Sequence, residues 1–207
     1  MKLKKQIIGA AACLVLSGCA TSTANYTPPK EHSVVNTKSI NKPFDTVWDS
    51  LVRELSSDFF VINNIDKNSR LINISFSSMR PSEFVDCGST SRTFTNARGE
   101  QSYNYQTADS SNFTFTNNQS HAFNVKRTTK LEGRTNIYVA PEGSGTNVTV
   151  NTKYVITVNT LATTFDGRLA GNDTFVFDPS TKQGFSNGEI KCFATGVIEA
   201  RILRAAQ

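Results

Sequence analysis

Apolar side chains recur at three- and four-residue steps through Phe44, Val47, Trp48, Leu51, Val52 and Leu55, while Asp49, Arg53 and Glu54 fall off that stripe. The spacing predicts an amphipathic helix. Pro43 suits its first position, Asp45 in its first turn favours the helix dipole, and the pattern ends near Ser57. Trp48 lies on the buried stripe, which makes it a core residue before it is a recognition residue. A different period rules Val148, Val150, Thr152, Tyr154, Ile156 and Val158, all at even positions, with Thr149, Asn151, Lys153 and Thr157 between them. Alternation of that length predicts a strand with one buried and one uncovered face.

Shorter patterns fill in the neighbours. Val34, Val35 and Ile40 predict a first strand over 33–40. The runs 59–65 and 70–77, parted by Asp66-Lys67-Asn68-Ser69, predict a hairpin whose Ile72, Ile74 and Phe76 share the face beneath the helix. Residues 121–140 carry Phe123, Val125, Leu131, Ile137 and Val139 and predict the partner of the alternating strand, across a turn at 141–145. Phe165-Asp166-Gly167 marks another turn, Phe175-Val176-Phe177 a short strand, and 189–195 a last strand holding Cys192. A closing helix over 196–206 has Ile198, Ile202 and Ala205 on its apolar side. The expected fold is therefore α+β: an antiparallel sheet gripping an N-terminal helix, with a β-α-β-β start and a C-terminal helix.

Residues 89–119 break the pattern, being mostly Ser, Thr, Asn and Gln with isolated Phe94, Tyr103, Tyr105, Phe113 and Phe115. They are expected to be a long polar insertion, partly disordered or forming a loose hairpin. Its aromatics Tyr103, Tyr105, Phe113 and Phe115 are candidate contacts for a partner protein or an envelope glycan. Residues 20–33, with Pro28-Pro29 and no sustained apolar period, are expected to be a flexible tether. A single domain then occupies 34–207.

What precedes the tether sets the compartment. Lys2, Lys4 and Lys5 form a basic start, and residues 7–16 are apolar or small, which is a secretion signal too short to span a bilayer. Leu16-Ser17-Gly18-Cys19 resembles the lipobox of bacterial lipoproteins. The resemblance implies cleavage between Gly18 and Cys19, removal of residues 1–18, and acylation of Cys19, which anchors the chain to a lipid bilayer. Ala20, where inner-membrane lipoproteins of that family carry Asp, implies the outer membrane with the domain facing the periplasm. The net charge of +5 drops to +2 once those three lysines are subtracted, so the high pI gives no reason to expect a nucleic-acid partner. Cys13 leaves with the signal and Cys19 is taken by lipid. Cys87 and Cys192 remain as an even pair in an oxidising compartment and are expected to form a disulfide.

A second resemblance rests on residues 40–78, INKPFDTVWDSLVRELSSDFFVINNIDKNSRLINISFSS. They are similar to the repeated helix-grip-like module of outer-membrane lipoproteins of the BamC type, accessory subunits of the β-barrel assembly machine. Pro43, Phe44, Asp45 and Trp48, then Phe60, Ile62 and Asp66, carry the likeness, with Ile62 in place of that pattern's Val. The phrase CFATGVIEARIL resembles the end of periplasmic lipoprotein domains in which a Cys-bearing strand enters a terminal helix. These positions are mostly core positions and imply a fold more than an activity; no second copy of the module follows.

Catalytic patterns are sparse. His32 and His121 are far apart in sequence, and Glu83 with Asp86 lacks the spacing of a calcium loop. No Gly-rich phosphate loop or nucleophile elbow is present. Lys126, Arg127, Lys130 and Arg134, diluted by Glu132, are by default a solvated strand face, with contact to lipopolysaccharide or peptidoglycan as the lesser alternative. The expectation is a non-enzymatic, cofactor-free structural or adaptor component of an envelope protein complex, with a binding module for an apolar ligand or a glycan as the alternative.

Overall fold

The computed structural model describes residues 20–207; the leader, Gly18 and Cys19 lie outside the described residues. Among the described residues thirteen strands and two α-helices follow one another: β1 (Thr21–Thr27), β2 (Thr37–Ile40), α1 (Phe44–Ser57), β3 (Val61–Asp66), β4 (Leu71–Ser78), β5 (Val85–Asp86), β6 (Ser89–Asn96), β7 (Gly99–Gln106), β8 (Ser111–Thr116), β9 (Ala122–Glu142), β10 (Gly145–Thr163), β11 (Leu169–Phe177), β12 (Phe185–Ser186), β13 (Lys191–Ala194) and α2 (Val197–Ala205).

The long alternating patterns become β9 and β10, joined by a two-residue turn at Gly143-Ser144 and paired antiparallel from Glu142↔Gly145 to Asn124↔Thr163. This ribbon is shared between two neighbourhoods. At one end β9 pairs β4 through residues 131–138 and β10 pairs β2 through 146–149. At the other, β9 pairs β8 through 122–127 and β10 pairs β11 through 156–163. The central sheet therefore runs β11-β10-β9-β4-β3, with β2 and β8 taking the remaining edge lengths.

Both helices cover one face. From α1 come Val47, Trp48, Leu51 and Leu55; from the sheet come Ile72, Ile74 and Phe76 of β4, Leu131, Ile137 and Val139 of β9, and the even-numbered set of β10, all buried. Each large apolar side chain so enclosed contributes about 1.5–3 kcal/mol, which is what holds helices of this length in place. The helices also lock to each other: Ser50 Oγ donates to the Ala205 carbonyl at 3.1 Å, and Arg201 donates to both oxygens of Asp58 at 2.6 and 2.7 Å. Arg201 thus closes the C-terminal end of α1 and lies over the Phe59 ring. The predicted disulfide joins Cys87, just after β5, to Cys192 in β13, and so ties the small β12-β13-β5 sheet and the entry to α2 onto the early part of the chain.

Two segments differ from expectation. The stretch read as a flexible tether is a strand from Thr21 to Thr27, paired with β6 from Thr21↔Thr95 to Thr27↔Ser89. It has no buried apolar face to announce it. Its β-branched and hydroxyl residues suit an extended edge, and side chains cross-link it, with Thr23 to Thr93 at 2.6 Å and Ser22 to Thr116 at 3.0 Å. Gly88 makes room for the chain leaving β1: a Cβ there would collide with the Thr27 carbonyl, and its φ of +71° suits only glycine well. The polar insertion is likewise ordered. β6 and β7 form a hairpin, β1 adds to its outer edge, and β8 returns to the central sheet. The small layer is built on threonine: Thr90, Thr107 and Thr114 are buried, and the Thr90 and Thr107 hydroxyls bond at 2.9 Å. Satisfied hydroxyls let polar side chains fill positions that sequence patterning reserves for apolar ones.

Candidate functional site

The aromatics singled out in the insertion mostly turn toward one another. Tyr105 and Phe113 stack with ring centres 6.0 Å apart. The Arg92 guanidinium sits 4.2 Å from the Phe113 ring centre, and its Nε donates to the Tyr105 hydroxyl at 3.0 Å. Arg127, buried beneath, donates to the carbonyls of Thr107 and Asp109 and lies 5.9 Å from the Tyr105 ring. Burial pushes its guanidinium below its usual value, while Tyr105 and Asp109 pull the other way. Tyr103 donates to Gln101 at 2.6 Å and Phe115 packs on Phe123. Phe113 is buried and Tyr103, Tyr105 and Phe115 are half-buried. This is a cation–aromatic core under a polar sheet layer, and little of it is free to meet a ligand.

The other face of the central sheet, away from the helices, is open. Strand periodicity puts Asn73 of β4, Asn136 of β9 and Asn151 of β10 side by side, in registers Asn73↔Asn136 and Asn136↔Asn151. Their amides continue outward: Asn63 donates to Asn73 at 3.2 Å, Asn73 donates to Asn136, and Asn36 donates to Asn151 at 3.0 Å. One row of asparagines thus crosses the sheet. Beside it Arg134 stands opposite Lys153, a like-charge pair that Asp178 relieves by binding the Lys153 ammonium at 2.7 Å. A shallow depression of about 500 Å³ is lined by Asn73, Arg134, Asn136, Asn151, Lys153 and Lys182. On the opposite flank of the row Tyr138 of β9 and Leu71 of β4 are in register and remain 43% and 41% exposed, forming an apolar step next to the amides. Farther along, Lys130 pairs with Glu132 at 2.7 Å, and that contact, mainly its hydrogen bond, holds the Glu132 carboxyl below the usual range.

Of the basic strand group, Lys126, Lys130 and Arg134 therefore share the open face, whereas Arg127 belongs to the interior. The asparagine row was not singled out from the sequence. Its signal is there once register is known, since Asn73, Asn136 and Asn151 lie at outward positions of their strands.

A second unforeseen feature is Glu199 of α2, with no exposed surface. Thr181 donates to it at 2.6 Å, and the Tyr154 hydroxyl reaches both carboxyl oxygens at 3.2 Å. Burial, then the Glu199 charge, drives the Tyr154 hydroxyl far above its ordinary value. The trio welds α2 to β10 and to the loop after β11. Among the described residues no group of three or more His, Cys, Asp and Glu side chains is placed to hold a metal ion. Comparison with protein-family models, with curated proteins and with solved structures finds no match for this chain.

Proposed function

We propose that this chain is a lipid-anchored structural or adaptor protein of the bacterial outer membrane, facing the periplasm and presenting the open face of its sheet to an envelope protein partner. The observation that carries the reading is the lengthwise polarity of the molecule. Ala20, next to the lipobox cysteine, lies at one end of the β9–β10 ribbon, and the helix-backed head with its uncovered amide row lies at the other. Anchoring by Cys19 supplies location; the ribbon carries the head away from it. The exposed pair Tyr138 and Leu71 beside directional amides and cations has the mixed character of a protein docking face, where aromatic anchors contribute affinity and polar groups fix orientation.

The reading as a module for an apolar ligand has less support, because Val47, Leu51 and Leu55 of α1 and Val148, Val150 and Tyr154 of β10 fill the space beneath the helix with almost no exposed surface. A glycan reading through Tyr103 and Tyr105 loses ground for the same kind of reason, since both are engaged in the small layer. The test is site-specific photocrosslinking in the intact envelope from position 136 or 138, with position 53 on the solvent side of α1 as the control. A reproducible protein adduct from the open face alone supports the proposal. Adducts that are absent, or equal from position 53, refute it.

A further inference from the structure

We propose that the end of the molecule bearing Ala20 makes a second, direct contact with the bilayer, through the hairpin tip between β10 and β11. The inference rests on acylation of Cys19 and adds to it an orientation. Strand β1 begins at Thr21, so a single residue, Ala20, separates the acylated position from the folded sheet. At about 3.8 Å per residue, the end of the domain is held against the membrane surface with no slack to retreat from it.

Register brings the elements of that end together. Thr21 lies opposite Thr95, next to the β6–β7 tip at Ala97 and Arg98. Thr116 lies opposite Ala122 at the β8–β9 turn, and Asn124 opposite Thr163, where β10 leaves for the turn to β11. A groove of about 850 Å³ at this end is lined by Ala20, Phe94, Arg98 and Phe165 among others, with Phe94 and Phe165 edge to face at 6.5 Å. The tip itself is apolar where a solvated turn would be polar: Phe165 is 63% and Leu169 is 65% exposed, on either side of Asp166 and Arg168, which neutralise each other in a 2.8 Å ion pair. Tips at the far end are Asp66-Lys67-Asn68-Ser69 and Gly143-Ser144, with no large apolar residue. The asymmetry follows the anchor.

Two apolar side chains do not hold a free domain on a membrane, but in a chain already tethered they act at high effective concentration and fix its tilt. With its two charges paired, the tip takes its affinity from apolar burial rather than from anionic lipid.

The experiment uses Phe165→Trp in the full chain, extracted in its acylated form and reconstituted into phosphatidylethanolamine/phosphatidylglycerol vesicles with brominated acyl chains. Trp48, the chain's single tryptophan, is buried in α1 and gives the baseline. The added indole is expected to emit at shorter wavelength and to be quenched by the brominated chains, equally at high salt and in phosphatidylethanolamine alone, and Leu169→Ser is expected to weaken the quenching. An unshifted, unquenched indole on a chain whose acylation is verified by mass overturns the tip contact. Quenching that vanishes at high salt overturns the apolar insertion as well. A parallel chain starting at residue 20, held on nickel-chelating vesicles by an N-terminal hexahistidine tag, separates the two readings. Quenching there, together with a native N terminus found unacylated, refutes the lipid anchor and retains the tip; an indole unquenched in both chains refutes the tip.

Discussion

Removing the Cys87–Cys192 bond is the perturbation whose size the structure fixes best. The two residues are 105 positions apart. Cross-linking so distant a pair restricts the unfolded chain by about 4.7 kcal/mol on the loop-closure estimate for a loop of roughly 100 residues. A domain of this size has about 5–15 kcal/mol in all, so the bond represents a third or more of the total. Local pairing does little to replace it, because β13 holds β5 through Phe193↔Asp86 and Ala194↔Val85 and holds β12 through Phe185↔Cys192 and Ser186↔Lys191. The assay is urea unfolding of Cys87→Ala/Cys192→Ala followed by the fluorescence of buried Trp48, beside wild type kept reduced by a phosphine. The reduced protein isolates the bond; the alanines add the loss of two buried sulfurs. With an m-value near 3 kcal/mol/M, the midpoint should fall by about 1.5 M, and m should rise because the released chain exposes more surface. In melting, about 10–20 °C should be lost at 2–4 °C per kcal/mol. A reduced protein that unfolds within about 0.3 M of the oxidised one would refute the argument.

Four further outcomes are expected. Gly133→Ala places a Cβ inside the Phe76 ring and should cost about 1–3 kcal/mol by overpacking, with Phe76→Leu in the same chain recovering part of it; additive losses in urea melts would contradict the contact. Because the folded Tyr154 hydroxyl titrates far above its unfolded value near 10, its stabilising contribution is complete below pH 10 and is lost as pH rises beyond it. Absorbance at 295 nm should then show one tyrosine ionising only as the fold melts, and Tyr154→Phe should remove that step. Thr181→Val takes the shortest donor from the buried Glu199 carboxyl and should cost about 1–3 kcal/mol, measurable by thermal unfolding, whereas a loss below a few tenths would make the trio incidental. Arg134→Glu with Lys153→Glu, both on the open face, should leave the melting temperature within a few degrees and abolish the crosslink from position 138; an unchanged crosslink would place docking elsewhere.

The helical half was legible because burial writes a period. Leu51 and Leu55 of α1, Ile72 and Ile74 of β4, and the even positions of β10 from Val148 to Val158 are all buried as their spacing predicts, since one-sided burial forces apolar residues onto one side of each element. The small layer was not legible for the converse reason. Thr21–Thr27 and Ser89–Asn96 hold together by ladder bonds and threonine hydroxyls, which leave no apolar alternation to read. Glu199 shows the limit inside the legible half. It lies three and four residues before Ile202 and Leu203, on the buried stripe of α2, and a charged residue on such a stripe is itself a sign of a buried partner. Tyr154, placed inward by its even number, was that partner. The candidate docking face needed register: Asn63, Asn73, Asn136 and Asn151 come from four strands, and no local pattern joins them.

Replacing a flexible tether by β1 changes what the lipid anchor proposed at Cys19 does for the domain. Residues 20–33 as a random coil would have a root-mean-square reach of about 20 Å and would let the domain tumble. As found, the chain enters the sheet at Thr21, and the 21 residues of β9, at about 3.4 Å each, span roughly 70 Å before twist shortens them. Under the lipid anchor proposed above, distance from the membrane is set by a hydrogen-bonded ribbon, and direction by whatever seats that end. Two rigid constraints are more specific than one flexible one: on the adaptor reading proposed above, a head at fixed height meets its partner with little orientational entropy left to lose. The same geometry makes the device fragile at its base. Each residue inserted between Cys19 and Thr21 should loosen height and tilt together, so a run of Gly-Ser added there should reduce crosslinking from position 138 while leaving the melting temperature of the domain unchanged. Undiminished crosslinking with a long insert would mean that the ribbon's length has no part in reaching the partner.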